Sequence, residues 1–135
     1  MLLIACGMQP ATSSAETDSP LVPFTADGRS TLEQLTSRYQ SLSTDHGWQM
    51  ETVYQYPGAD APAIRAWRTE HRGAALWILA GIHGEEPAGP NALAERLPSI
   101  VELAASGVPI VVIPLVNPQA YRNNWRYPNT SERDW

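Results

Sequence analysis

The chain has 135 residues, 43% of them hydrophobic, and a formal charge of -5 at pH 7. That length and apolar content can bury one core, and nothing suggests two globular units. The basic residues are scattered, so no cluster can displace phosphate counterions, which argues against nucleic acid as a partner.

The N-terminus reads Met1-Leu2-Leu3-Ile4-Ala5-Cys6-Gly7, and Leu3 to Cys6 looks like the lipobox that ends a bacterial lipoprotein signal. Only five residues precede Cys6, too few for a positive n-region and an apolar h-region of about 7–15 residues. The lipoprotein reading therefore requires a signal clipped at its start. Cys6 is the sole cysteine and a Ser/Thr/Pro/Ala-rich stretch follows it, so the expectation is lipidation at Cys6 and an anchor at a membrane surface. The matching address is the bacterial cell envelope, periplasmic and lipid-anchored. An untargeted tail on a cytoplasmic protein is the alternative. No other segment is long enough to span a membrane.

From Gln9 to Asp27 the residues are small, polar and proline-bearing, with too little apolar surface to offset the entropy of ordering. Residues 1–27 thus read as signal remnant and tether, and 28–135 as the folded part. Ser30 or Thr31 can cap a helix in which Leu32, Leu35, Tyr39 and Leu42 recur at helical spacing, with Gln34 or Glu33 in the first turn. It should end between Ser43 and Gly47, leaving His46 to interact with the helix C-terminus rather than with a metal.

Trp48 to Tyr56 and Ala63 to Arg68 alternate as strands, and Gly58 to Pro62 can close them into a hairpin. Ala74 to Ala80 is a short continuous apolar run, which suits a strand buried on both faces of a sheet. His71 stands at its start. Ala88 to Ala105 is helical in composition, and Pro98 should bend or divide it. Gly107 ends that helix, and Val108 to Val116 gives a second buried strand. Two apolar strands joined by a helical connection form a βαβ unit with parallel pairing and a right-handed crossover. The predicted fold is α/β, a mixed and largely parallel sheet flanked by helices.

Gly81-Ile82-His83-Gly84-Glu85-Glu86-Pro87-Ala88-Gly89 lies where the first of these strands stops. Gly84 permits a tight turn and Pro87 can start a helix, so His83 falls on a strand-to-helix turn with Glu86 at the helix mouth. Zinc accepts imidazole nitrogen and carboxylate oxygen at about 2.0–2.2 Å, and a His-x-x-Glu spacing across one turn can bring both to one ion. His83 and Glu86 are therefore candidate Zn2+ ligands, with Glu85 the weaker candidate of the two carboxylates. The competing reading is a turn histidine beside carboxylates favoured at a helix N-terminus. His71 is a poor third ligand, because a strand of seven to ten residues at about 3.3 Å each holds it more than roughly 20 Å from His83. Asn117 falls at the carboxyl end of the second buried strand, on the same rim as His83, where α/β sites form.

Asn117 to Asn129 is polar, aromatic and basic in an otherwise acidic chain. Arg122 and Arg126 could clamp a carboxylate or stabilise an oxyanion, both of which need fixed positive charge with planar donors. A solvated surface loop is the other reading.

Taken together, strand, Gly-Ile-His-Gly-Glu-Glu-Pro-Ala-Gly, helix, a strand ending Pro-Leu-Val-Asn-Pro, and a loop bearing Trp125-Arg126 resemble the N-terminal half of the M14 zinc carboxypeptidases. The branch they look most like includes murein peptide amidases, with the succinylglutamate desuccinylase and aspartoacylase relatives close behind. The resemblance covers about Ala74 to Trp135. It implies that His83 and Glu86 are the first two zinc ligands and that Arg126, with Arg122 as the fallback, stabilises the oxyanion. It places Arg122, Asn117 and Asp134 toward the substrate. Asp134-Trp135 stands where the family's Asp-Leu-Asn-Arg motif begins, with Trp in place of Leu, and Gln119-Ala120 replaces the common Asp-Gly. The family's third zinc ligand, a histidine, and its glutamate base lie further downstream, so the expectation is an N-terminal part of a catalytic domain. The implied activity is zinc-dependent hydrolysis of a peptide bond next to a free carboxylate, with cell-wall peptides as an attractive substrate. Two rivals stand beside it, an N-acyl amino acid amidohydrolase of the aspartoacylase kind and a non-catalytic envelope lipoprotein that binds rather than cleaves.

Overall fold

The computed structural model describes residues 27–127. Cys6 and Asp134 lie outside that range. The element order is α1 (Leu32–His46), β1 (Gln49–Gln55), β2 (Ala63–Arg68), β3 (Leu76–Leu79), α2 (Ala88–Glu95), α3 (Leu97–Ala105), β4 (Ile110–Ile113) and α4 (Pro118–Asn123).

Helix α1 starts on a capping box. Thr31 Oγ1 accepts from the Gln34 amide at 3.2 Å, and Gln34 Oε1 accepts from the Thr31 amide at 2.8 Å, so two otherwise orphaned donors are satisfied reciprocally. Leu35, Tyr39 and Leu42 form its buried stripe. The left-handed Gly47 ends it, donating to the carbonyls of Leu42 and Ser43.

β1 and β2 form the expected antiparallel hairpin, with a register shift between Thr52 and Tyr54. β2 continues antiparallel onto β4 through Trp67↔Val112, and β3 lies parallel to β4 from Leu76↔Ile110 to Leu79↔Ile113. The sheet is therefore mixed, in the order β1-β2-β4-β3. Among the described strands, parallel pairing is confined to β3 and β4.

All four residues of β4 are buried, as a central strand covered on both faces should be. β3 departs from the expectation of a doubly buried strand. It is an edge strand among the described residues, and Leu76, Trp77 and Leu79 stay about half exposed while Ile78 packs on the core. An apolar run alone does not distinguish a central strand from an edge strand, since both offer the same side chains to β4.

The connection from β3 to β4 divides where proline requires it. Arg96 separates α2 from α3, and Pro98 sits in the first turn of α3, where its missing N–H costs no helical hydrogen bond. Leu93, Leu97, Ile100 and Ala104 join Leu35, Tyr39, Leu42, Trp67, Ile110, Val112, Leu115 and Tyr121 in the main core. Leu103 remains exposed. Among the described residues no helix is long and apolar enough to cross a membrane.

Candidate metal centre

β3 hands over to the His83 turn through backbone pairing that runs past the strand itself. Ala80 donates to Ile113 O at 3.1 Å, Val116 to Ala80 O at 2.9 Å and Asn117 to Gly81 O at 2.9 Å. Residues 80–82 are thus locked against the exit of β4, on the rim expected for the site. Gly81 has φ +65°, a left-handed conformation that favours glycine, and a Cβ there would lie 2.4 Å from Leu115 Cδ1, which would have to move.

Gly84 lies in the tight turn expected of it, closed by the Glu86 amide donating to His83 O at 3.4 Å, and close packing adds a second demand for glycine there. Its φ is not in the left-handed region, but a Cβ would lie 2.1 Å from the carbonyl carbon of Ala120 and 2.3 Å from the Tyr121 nitrogen. The turn rests directly on the backbone of α4. That helix occupies sequence read as a loop. Asn117 caps it by accepting from the Ala120 amide at 3.1 Å, and Pro118 takes the first helical position. The Asn-Pro pair is a local signature of a helix start.

At the mouth of the turn, His83 Nδ1 and Glu86 Oε1 are 3.1 Å apart. The same Glu86 oxygen accepts from Arg126 Nη1 at 3.3 Å, and Arg126 Nη1 also donates to Glu85 Oε1 at 2.8 Å. Tyr127 closes the group, its ring edge-on to His83 with centroids 5.9 Å apart and 5.8 Å from the Arg126 guanidinium carbon. The hydrogen bond from Arg126 to Glu85, with lesser help from Tyr127, raises the Arg126 pKa above its ordinary value.

Burial separates the roles of the two carboxylates. The Glu86 side chain is 59% exposed and that of Glu85 10%. Glu85 turns inward to hold Arg126, and Glu86 faces the rim. Two donors on one tetrahedral zinc, each at about 2.0–2.2 Å, lie about 3.3–3.5 Å apart. The His83 and Glu86 donors, at 3.1 Å, already converge to nearly that spacing. Among the described residues no group of three or more His, Cys, Asp or Glu could hold a metal, and His83 and Glu86 bring two such donors together.

The other expected site residues are placed differently. Arg122 turns to the β1–β2 loop, donating to Asp60 O at 2.6 Å and to Gln119 Oε1 at 3.2 Å. Asn117 is buried behind the turn with both ends of its amide engaged, Oδ1 by Ala120 and Nδ2 by Ile82 O at 3.3 Å. Its geometry is that of a residue that holds the turn. His71 bonds the Ala104 carbonyl at 3.0 Å and borders an open cleft of about 770 Å³ that also involves Gln49, Arg72 and Trp77.

One residue of the site's support has no counterpart in the sequence reading. Arg29, three residues before α1, reaches Gly84 O at 3.0 Å, Tyr121 O at 2.8 Å and Asn124 Oδ1 at 2.7 Å. Those partners are 55 to 95 residues away in the chain, and no local pattern signals such contacts.

Residues 72–134 match the family model of the succinylglutamate desuccinylase/aspartoacylase catalytic domain. No curated protein matches the chain in sequence. Among solved structures it is similar to a candidate metallopeptidase from Shewanella denitrificans, with 23% identity and a TM-score of 0.61 over 74% of this chain and 38% of that one. A second candidate metallopeptidase, from Shewanella amazonensis, gives 25% identity and a TM-score of 0.60 over 72% and 36% of the two chains. Bovine thrombin-activatable fibrinolysis inhibitor, in complex with tick carboxypeptidase inhibitor, shares the fold at 16% identity and a TM-score of 0.58, over 78% and 39%. The chain spans under two fifths of the length of each of these structures. The resemblance to the M14-like family and its carboxypeptidase-like α/β fold is thereby borne out.

Proposed function

We propose that this chain supplies part of the active site of a zinc-dependent carboxypeptidase, which hydrolyses an amide bond next to a free carboxylate. The observation that carries the reading is the convergence of His83 Nδ1 and Glu86 Oε1 to 3.1 Å on the rim of the sheet, with Arg126 on the same carboxylate. His83 and Glu86 would hold the ion. When bound, zinc supplies a Lewis acid and lowers the pKa of coordinated water toward about 7.

The remaining chemistry belongs to the chain's own side chains. Arg126 is a fixed cation, and its planar donors suit an oxygen that gains negative charge. Glu85 and Tyr127 keep that guanidinium beside the ligand pair. Gly81, Asn117 and α4 fix the turn on which the ligands stand, so little reorganisation is needed when charge develops.

The family model favours a second reading in which the bond cleaved is that of an N-acyl amino acid. Both substrates carry an amide and a carboxylate, and they differ in what lies on the acyl side. A lipid anchor at Cys6 would direct the first reading to cell-wall peptides, and an envelope lipoprotein that binds such peptides without cleaving them is the non-enzymatic rival.

Assaying the full-length gene product with Zn2+ against peptides with a free α-carboxylate, their C-terminal amides and N-acyl amino acids separates these readings. Cleavage of the free-carboxylate peptides, lost in His83→Ala, supports the carboxypeptidase. Cleavage of N-acyl amino acids alone moves the assignment to the second reading. Binding without turnover of any of them overturns both.

A further inference from the structure

The Arg29 side chain is only 2% exposed, and a buried charge persists only where it is paired and hydrogen-bonded. Arg29 meets that requirement in full. A guanidinium has five N–H donors in a fixed plane. Here Nε donates to Asp27 Oδ2 at 2.7 Å, Nη2 to the same oxygen and to Asn124 Oδ1, and Nη1 to the carbonyls of Gly84 and Tyr121. Each donor has an acceptor, and the guanidinium also lies over the Tyr121 ring, 4.9 Å from its centroid.

The acceptors come from three separate pieces of chain. Asp27 belongs to the segment before α1, Gly84 to the turn between His83 and Glu86, and Tyr121 and Asn124 to the end of α4, just ahead of Arg126. The segment carrying Arg29 is itself fastened by Asn91 of α2, which accepts from the Ser30 amide at 3.0 Å and donates to Gly28 O at 2.8 Å. Tyr121 adds a bond from its hydroxyl to Ser30 O at 2.7 Å. Gly84 lies directly on the α4 backbone, and one Arg29 nitrogen bonds the carbonyls on both sides of that contact.

We propose that Arg29 is a positioning residue for the ligand pair. It clamps the Gly84 carbonyl to α4 and so fixes the separation of His83 and Glu86 and the approach of Arg126. The proposal rests on the reading of His83 and Glu86 as ligands, and it deepens that reading by assigning the device that holds them. A lysine keeps the charge but has three donors on one atom and no planar fork, so it cannot bridge the two carbonyls while holding Asp27 and Asn124.

The test compares wild-type chain, Arg29→Lys, Arg29→Met and Thr31→Ala, the last of which removes the α1 cap without touching the turn. Two properties are read on folded protein: the ring 15N shifts of His83 without metal, and the affinity for Co2+ as a probe of the ligand pair. The expected result is that Arg29→Lys moves the His83 ring shifts toward tautomer-averaged values and weakens Co2+ by about tenfold, with Thr31→Ala unchanged in both. Arg29→Met should do the same or more, and if it fails to fold, Arg29→Lys decides. Wild-type ring shifts and affinity in a folded Arg29→Lys overturn the proposal, as does an equal loss in Thr31→Ala. Should His83→Ala leave Co2+ binding untouched, the ligand reading fails, and the metal-free ring shifts alone then decide whether Arg29 positions the turn.

Discussion

Glu85 and Arg126, 41 residues apart in sequence, are joined by a 2.8 Å hydrogen bond from Nη1 to Oε1, while Glu85 Oε2 is buried with no partner among the described residues. The inward carboxylate of the Glu85-Glu86 pair is thus committed to the arginine and the outward one to the rim. Replacing Glu85 by Ala should loosen the guanidinium, since its contact to Glu86 is longer, at 3.3 Å, and largely solvated. The Nε order parameter of Arg126, from side-chain 15N relaxation, should fall toward the flexible range below about 0.6. Glu86→Ala should lower it less. Equal effects would mean that the two carboxylates share the arginine.

Gly84 in the His83 turn and Gly89 in α2 should respond oppositely to one added methyl group. A Cβ at Gly84 meets α4 backbone at 2.1–2.3 Å, so Gly84→Ala must push the turn and helix apart, at a cost of about 1–3 kcal/mol. A Cβ at Gly89 meets nothing nearer than Ala80 Cβ at 3.8 Å. Gly89→Ala should stabilise by about 0.4–1 kcal/mol through the lower entropy of the unfolded chain. Urea unfolding of the two variants checks both signs.

The segment around Arg29 should contribute to the acid and alkaline dependence of stability. The hydrogen bond from Arg29 holds the Asp27 carboxyl below its usual value of 3.8, a depression that partial burial offsets only in part. A depressed carboxyl contributes stability present above its unfolded pKa and lost as pH falls through the folded value, so unfolding should accelerate below about pH 4. Burial pushes the Tyr121 hydroxyl from 10.0 up to about 12. Its contribution is complete below pH 10 and is lost as pH rises toward 12. In Asp27→Asn and Tyr121→Phe respectively, the acid and alkaline steps in a thermal melt series should flatten.

In the core, Tyr39 packs its ring at 5.7 Å from Trp67 with its hydroxyl buried and unpartnered among the described residues. Burial raises its pKa further than that of Tyr121. Removing a buried, unbonded hydroxyl removes its desolvation cost while keeping the ring, so Tyr39→Phe should be neutral or stabilising by up to about 1 kcal/mol. A loss of 1 kcal/mol or more in denaturant unfolding would reveal a partner for that hydroxyl.

Much of this arrangement was legible because its signals are local. Thr31 and Gln34 announce α1 by spacing, Pro98 divides the crossover helix, and the ends of β3 and β4 put His83 and Asn117 on one rim. The Asn117-Pro118 helix start was equally local, but the polar and aromatic composition that follows it reads as loop. The half exposure of β3 could not be read, because strand order, rather than apolar content, decides which strand lies at an edge. The turn at Gly84 is legible locally, whereas its close approach to Ala120 is a tertiary fact. Arg29 stayed silent for the same cause, as its acceptors at Gly84, Tyr121 and Asn124 meet only once the chain has folded.

The central claim is that His83 and Glu86 act together as metal ligands. Calorimetric titration of the 135-residue chain with Zn2+, alongside His83→Ala and Glu86→Ala, tests it most directly. Because the described residues supply two convergent donors and a catalytic zinc takes three from protein, we predict one weak Zn2+ per chain, abolished by either substitution. Binding that survives both substitutions unchanged, or no detectable Zn2+ binding by the unaltered chain, would contradict the claim.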